Sequence, residues 1–85
     1  MMTMSPPADL SAMPPAFQAG YTAGAKDARQ HRKRNRVLDE LHALTAFAGD
    51  AALAYCPTRN QKAHAELIAR YVEGYVRAYR AGTGQ

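Results

Sequence analysis

The chain has 85 residues, 47% of them hydrophobic, and a formal net charge of +4. That length excludes more than one domain and limits how much surface can be buried, so a partner subunit would supply core that the chain lacks alone. A single cysteine, Cys56, excludes an internal disulfide framework and fits a reducing cytosol, and no run approaches about eighteen apolar residues free of charge and proline, as a membrane span requires.

The N-terminal stretch MMTMSPPADL has no basic flank before an apolar run, so a cytoplasmic protein is expected, neither exported nor membrane-bound. Residues 1–15 hold Pro6, Pro7, Pro14 and Pro15 among Ser, Thr and Met. Proline lacks an N–H and pushes its predecessor out of the α region, so this segment is expected to be a disordered arm. Residues 16–85 form the single helical domain. Pro15 suits the first turn of a helix running through AFQAGYTAGAKDA, where Ala16, Gly20, Gly24 and Ala28 recur every fourth residue beside Phe17, Tyr21 and Ala25. Each glycine inside a helix costs about 1 kcal/mol relative to alanine, so this ridge predicts close approach of another backbone. The segment is too polar and too short to be a membrane dimerisation motif.

The tract Lys26 to Arg36, KDARQHRKRNR, comes next. It holds six of the eleven basic residues against one acid, Asp27, so it carries +5 while the rest of the chain sums to −1. On a helix Arg29, Arg32, Lys33 and Arg36 fall within an arc of about 100°. Charge concentrated in this way points to an anionic partner, and Lys26, Arg29, Arg32, Lys33, Arg34 and Arg36 are the candidate partner- or anion-binding residues. The competing reading is a solvated linker, with Asp39 and Glu40 beside it.

A second helix is predicted from about Arg36 to Tyr55, with Val37, Leu41, Leu44, Ala48, Ala51 or Ala52 and Tyr55 on one stripe and Pro57 as its stop. Its stripe lies roughly 160° around the axis from that of Phe17, Tyr21 and Ala28. Either the chain breaks inside the basic tract and the first helix folds back, or one long helix packs its first half on another subunit. A third helix starts with Thr58 as cap and Gln61 completing a capping box, and ends at Gly82 and Gly84. Its inner face reads Leu67, Ile68, Tyr71, Val72, Tyr75 and Tyr79, and Glu66 with Arg70 and Glu73 with Arg77 are expected i,i+4 pairs. Phe17-x-x-Gly20-Tyr21-x-x-Gly24 resembles Tyr71-x-x-Gly74-Tyr75-x-x-Ala78. The match is too short to define a repeat, but it is suited to close helix crossing.

The expected architecture is all-α: an antiparallel hairpin of the second and third helices plus an N-terminal helix, completed by homodimerisation. Phe17, Gly20, Tyr21, Gly24, Tyr71, Tyr75 and Tyr79 are the candidate interface residues, the tyrosines forming a core stripe with its rim at a subunit or partner contact. Their alternative role is stacking on nucleic-acid bases. His31, His42, His64 and Cys56 offer metal-binding atoms without metal-binding spacing, Gly20 and Gly24 lack the context of a phosphate loop, and no nucleophile is paired with a base, so neither metal, cofactor nor catalysis is expected.

The function expected is therefore binding without turnover. The chain acts as an inhibitor or adaptor that docks its basic segment on a protein with an acidic surface. The alternative is a small basic regulator of nucleic acid, for which no helix-turn-helix or zinc-finger pattern speaks. In length, alanine content and basic charge the chain resembles accessory proteins of mobile genetic elements. No particular family is recognised, and it is this context, not the composition, that would make a host protein the target.

Overall fold

A computed structural model describes residues 10–55 and 61–84. The described residues are all-helical, without strands: a short 3-10 turn at Leu10–Ala12 leads into α1 (Pro15–Lys33), α2 (Leu41–Tyr55) and α3 (Gln61–Thr83). Most of the expected proline-rich arm, the expected helix stop Pro57, the expected cap Thr58, and Cys56 lie outside the described residues. Within the arm, Pro15 opens α1 as its first helical residue, behind an extended Pro14 at φ −57° and ψ 149°. Gln18 fastens this start, its side-chain amide donating to the Met13 carbonyl at 2.7 Å.

The chain does break inside the basic tract, and the break is a helix C-cap. Asn35 stands in the left-handed region at φ 55°, which Asn tolerates better than most residues. The Arg36 N–H reaches back to the His31 carbonyl at 2.8 Å and the Asn35 N–H to the Arg32 carbonyl at 3.2 Å, the paired bonds of a Schellman motif. Consequently residues 36–40 are a connection, and α2 starts at Leu41, later than the sequence pattern suggested. Val37 and Leu38 still pack on the core, but from the loop. Gly84, at φ 78°, follows the end of α3.

The most extensive contact is between α1 and α3, which run in the same direction: Gly20 faces Tyr71, Gly24 faces Tyr75 and Ala28 faces Gly82. A Cβ on Gly20 would lie 2.8 Å from the Tyr71 carbonyl carbon, and one on Gly24 2.9 Å from that of Tyr75. The hydrogen standing in place of each Cβ therefore points at a carbonyl oxygen, a weak contact that recurs where helices cross closely. Gly74 answers from α3, where a Cβ would come 3.1 Å from the Phe17 carbonyl carbon. Gly20 with Tyr71 and Gly74 with Phe17 are equivalent positions in the two similar eight-residue segments, so the crossing is reciprocal about a local two-fold axis between the helices.

α2 runs opposite to α3, because Phe47 pairs with Tyr75 and, farther along α2, Tyr55 pairs with Tyr71. It seats Leu44, Ala48 and Ala52, all fully buried, against the tyrosines. This contact is less extensive than that of α1 with α3, and the connection between α2 and α3 lies outside the described residues. Of the two expected ion pairs on α3, Arg70 reaches Glu66 at 4.0 Å, but it also takes Glu73 at 2.8 Å. Arg77 lies instead over the Phe17 ring, 5.9 Å from its centroid, where the ring face attracts the guanidinium.

Candidate functional site, a cationic end

Parallel packing brings the C-terminal ends of α1 and α3 together, and the basic tract is anchored there. Lys26, Arg29, Arg32, Lys33, Arg34 and Arg36 are all exposed. Lys26, Arg29 and Lys33 lie on the side of α1 turned away from the glycine ridge, so the burial of Gly20, Gly24 and Ala28 dictates that these cations face solvent, while Arg32 continues the ridge beyond Ala28 at the open end of the helix pair. Arg34 caps the helix and Arg36 begins the loop beyond it. Arg29, Arg32 and Lys33 line a shallow concavity.

The cations have no carboxylate to neutralise them among the described residues, whose ion pairs all belong to Arg70. Asp27, the one acid of the tract, is turned to the other side of α1, where its carboxylate accepts a hydrogen bond from the Tyr75 hydroxyl. Arg32 donates to the Gly82 carbonyl at 3.2 Å, which ties the end of α1 to the end of α3 and sets a cation where the helix dipole is negative. The last turn of α1 holds His31, Arg32 and Lys33, a favourable placement for the same reason.

His31 joins the tract to the core. Its Nδ1 is 2.6 Å from the Tyr79 hydroxyl, which also accepts the Leu38 N–H at 2.9 Å, and its ring stands edge-on to Phe47 with centroids 5.5 Å apart. His31 and Tyr79 together thus lock α1, the connecting loop, α2 and α3 to each other. In the sequence His31 is a member of the basic tract with a metal-ligand atom, and no local signal reveals a partner 48 positions away.

The candidate interface residues meet within one chain. Phe17, Gly20 and Gly24 are buried with Tyr71, Tyr75 and Tyr79 between α1 and α3, while Tyr21 keeps partial exposure and stacks on Phe17 at 6.2 Å. Tyr71, Tyr75 and Tyr79 form a ladder with centroids 6.3 and 6.1 Å apart, and Tyr75 and Tyr79 have no exposed surface. This burial leaves no ring face of Tyr75 or Tyr79 for stacking on bases. Burial, first of all, holds the Tyr75 phenol far above its ordinary range, and the hydrogen bond and charge of Asp27 add to it. Tyr71 is raised too, by burial and then by Asp27 and Tyr55.

Among the described residues no three side chains of metal-binding type gather, and no helix is long and apolar enough to cross a membrane. Comparison with protein-family models, with curated proteins and with solved structures finds no match.

Proposed function

We propose that this chain is a non-catalytic interaction protein that docks its cationic end on another protein with an acidic surface and thereby inhibits or adapts it. It would act in the cytoplasm and as a homodimer. The observation that carries the reading is the set of six exposed cations fixed at one end of a rigid helix pair, without a carboxylate partner among the described residues. A solvated linker would not need a helix cap, an Arg32 to Gly82 tether and a His31 lock to hold it in place.

The neighbours of the tract favour protein over nucleic acid. Asp39 and Glu40 are exposed beside the cations, and Leu41 follows with 52% of its surface open. A phosphate backbone would be repelled by the two acids and has no use for the leucine, whereas a protein surface of mixed character can engage all three. The test uses wild type and a variant with Lys26, Arg29 and Lys33 changed to Ser, exposed positions that leave the packing and the Arg32 tether alone. After nuclease treatment of a lysate the wild type should retain a protein that the variant loses. Binding to random duplex DNA should be unmeasurable near physiological salt. A steep log–log salt dependence of duplex binding, abolished in the variant, would replace this reading with the nucleic-acid one.

A further inference from the structure

Gly20, Gly24 and Gly74 are each matched by a main chain of this same protein and Gly82 by the Ala28 side chain, but one helical glycine faces open space. A Cβ added to Gly49, in the middle of α2, would meet nothing within 4 Å. Glycine weakens a helix relative to alanine, and nothing among the described residues offsets that at Gly49. The same helix carries the large apolar side chains that stay exposed, Leu41, Phe47, Leu53 and Tyr55, of which Leu53 is the most open at 55%. Its outward side, opposite Leu44, Ala48 and Ala52, is made of His42, Ala43, Ala46, Asp50 and Leu53, all exposed, with Gly49 at the edge. A helix apolar on nearly every side ordinarily has cover on every side.

We propose that this outward face is the seam of a homodimer, covered by α2 of a second copy lying antiparallel about a two-fold axis at Ala46. The proposal rests on the homodimer reading above and names the surface it uses. Charge complementarity selects the occupant. α2 contains one acid, Asp50, one histidine, His42, and no Lys or Arg, and the two stand four residues to either side of Ala46. In an antiparallel pair centred there, His42 of each copy faces Asp50 of the other, so an imidazole N–H donates to a carboxylate on both sides of the axis. Ala43 falls opposite Gly49 by the same symmetry, small against small, which allows the close approach already seen between α1 and α3. An interface between identical chains requires that residue i meet j and j meet i, and a pattern symmetric about one residue meets that requirement.

The geometry also keeps the basic tracts apart. Each precedes the start of α2, so antiparallel pairing sets them at opposite ends of a helix about 22 Å long, well beyond a screening length of about 8 Å. A parallel pair would bring two +5 tracts together. An acidic partner is unsuited to this face, because the face carries the Asp50 carboxylate and no Lys or Arg.

The experiment is sedimentation equilibrium on the full chain carrying Cys56→Ser, with and without Ala46→Arg, and oxidative cross-linking of Ala46→Cys in the same background. The Cys56→Ser chain should sediment at twice the 9.3 kDa chain mass. Ala46→Arg should return it to the single-chain mass with unchanged helical circular dichroism, and Ala46→Cys should close a disulfide across the axis while Leu53→Cys does not. A dimer that survives Ala46→Arg and leaves Ala46→Cys unlinked overturns the seam but keeps the homodimer. Linking through Leu53→Cys instead overturns the antiparallel register. A chain that stays monomeric at every concentration overturns both.

Discussion

α1 and α2 both pack on α3, and they do so with opposite materials. α1 brings backbone to backbone through Gly20 and Gly24, with Gly74 replying from the other side, while α2 lays Leu44, Ala48 and Ala52 over the tyrosine rings. The first contact has no room for a methyl group. The second leaves Leu41, Phe47, Leu53 and Tyr55 open to solvent. Tyr75 serves both sides, giving its hydroxyl to Asp27 of α1 and its ring to Phe47 of α2. Backbone matching therefore fixes which helices pair and in which register, whereas the alanine seat supplies area without much specificity.

The sharpest way to break this contrast is to fill the crossing. Gly20→Val places carbon where the Tyr71 carbonyl stands, and main chain cannot step aside as a flexible side chain can. Overpacking a core costs about 1–3 kcal/mol or more, and a clash with backbone belongs at the upper end. Against the total of about 5–15 kcal/mol that holds a typical domain, a chain this small should lose its cooperative thermal transition, seen by circular dichroism. A variant that melts like wild type would mean that α1 is not pressed against α3.

Tyr75→Phe is next in size. It leaves the half-buried Asp27 carboxylate without its phenol donor, a loss of about 1–3 kcal/mol in denaturant titrations at neutral pH. The same tyrosine sets an alkaline limit. Its folded-state pKa lies above the ordinary 10.0 because burial opposes the phenolate and Asp27 reinforces that. Below pH 10 both folded and unfolded chains keep the proton and this group adds no pH dependence. Above it the unfolded chain releases protons that the folded chain retains, so stability should fall as pH rises past 10. Tyr75→Phe should show a shallower fall, and an equal slope in the two proteins would contradict the assignment.

Hydrogen exchange probes the contrast without mutation. Amides of α2, whose outer side is open, should open at lower free energy than those of α1 and α3 around the crossing. Uniform protection across the three helices would show that the alanine seat is as strong as the glycine one.

The sequence disclosed the helices and the stripe of tyrosines because period and composition are local properties. Gly20 and Gly24 announced a close crossing, and the folded-back alternative for α1 was already one of two open possibilities. The pairing of α1 with α3 was harder to read, since an antiparallel hairpin of neighbours in sequence is the usual short route and a parallel pair needs α2 as its return. The eight-residue similarity was the available clue: equivalent positions can cross reciprocally. The late start of α2 was hidden because Asn35 took a role that glycine more often fills. For the basic tract, charge was legible and exposure followed from the ridge behind it, but the Asp27, His31 and Arg32 contacts join residues 48 to 50 positions apart and have no local signature.

The smallest effect separates the two kinds of glycine most directly. Gly49→Ala adds a methyl group into open space on a helix, so the isolated chain should gain up to about 1 kcal/mol, the full difference in helix propensity. Gly24→Ala adds the same methyl group toward the Tyr75 carbonyl and should lose stability instead. Measuring both in the Ala46→Arg background removes any contribution from a second copy, because every thermal midpoint then belongs to one chain. If Gly49→Ala destabilises even there, α2 has a close neighbour within its own chain. If it stabilises the lone chain yet weakens the assembly formed by Cys56→Ser, Gly49 is retained for a contact made outside the single fold.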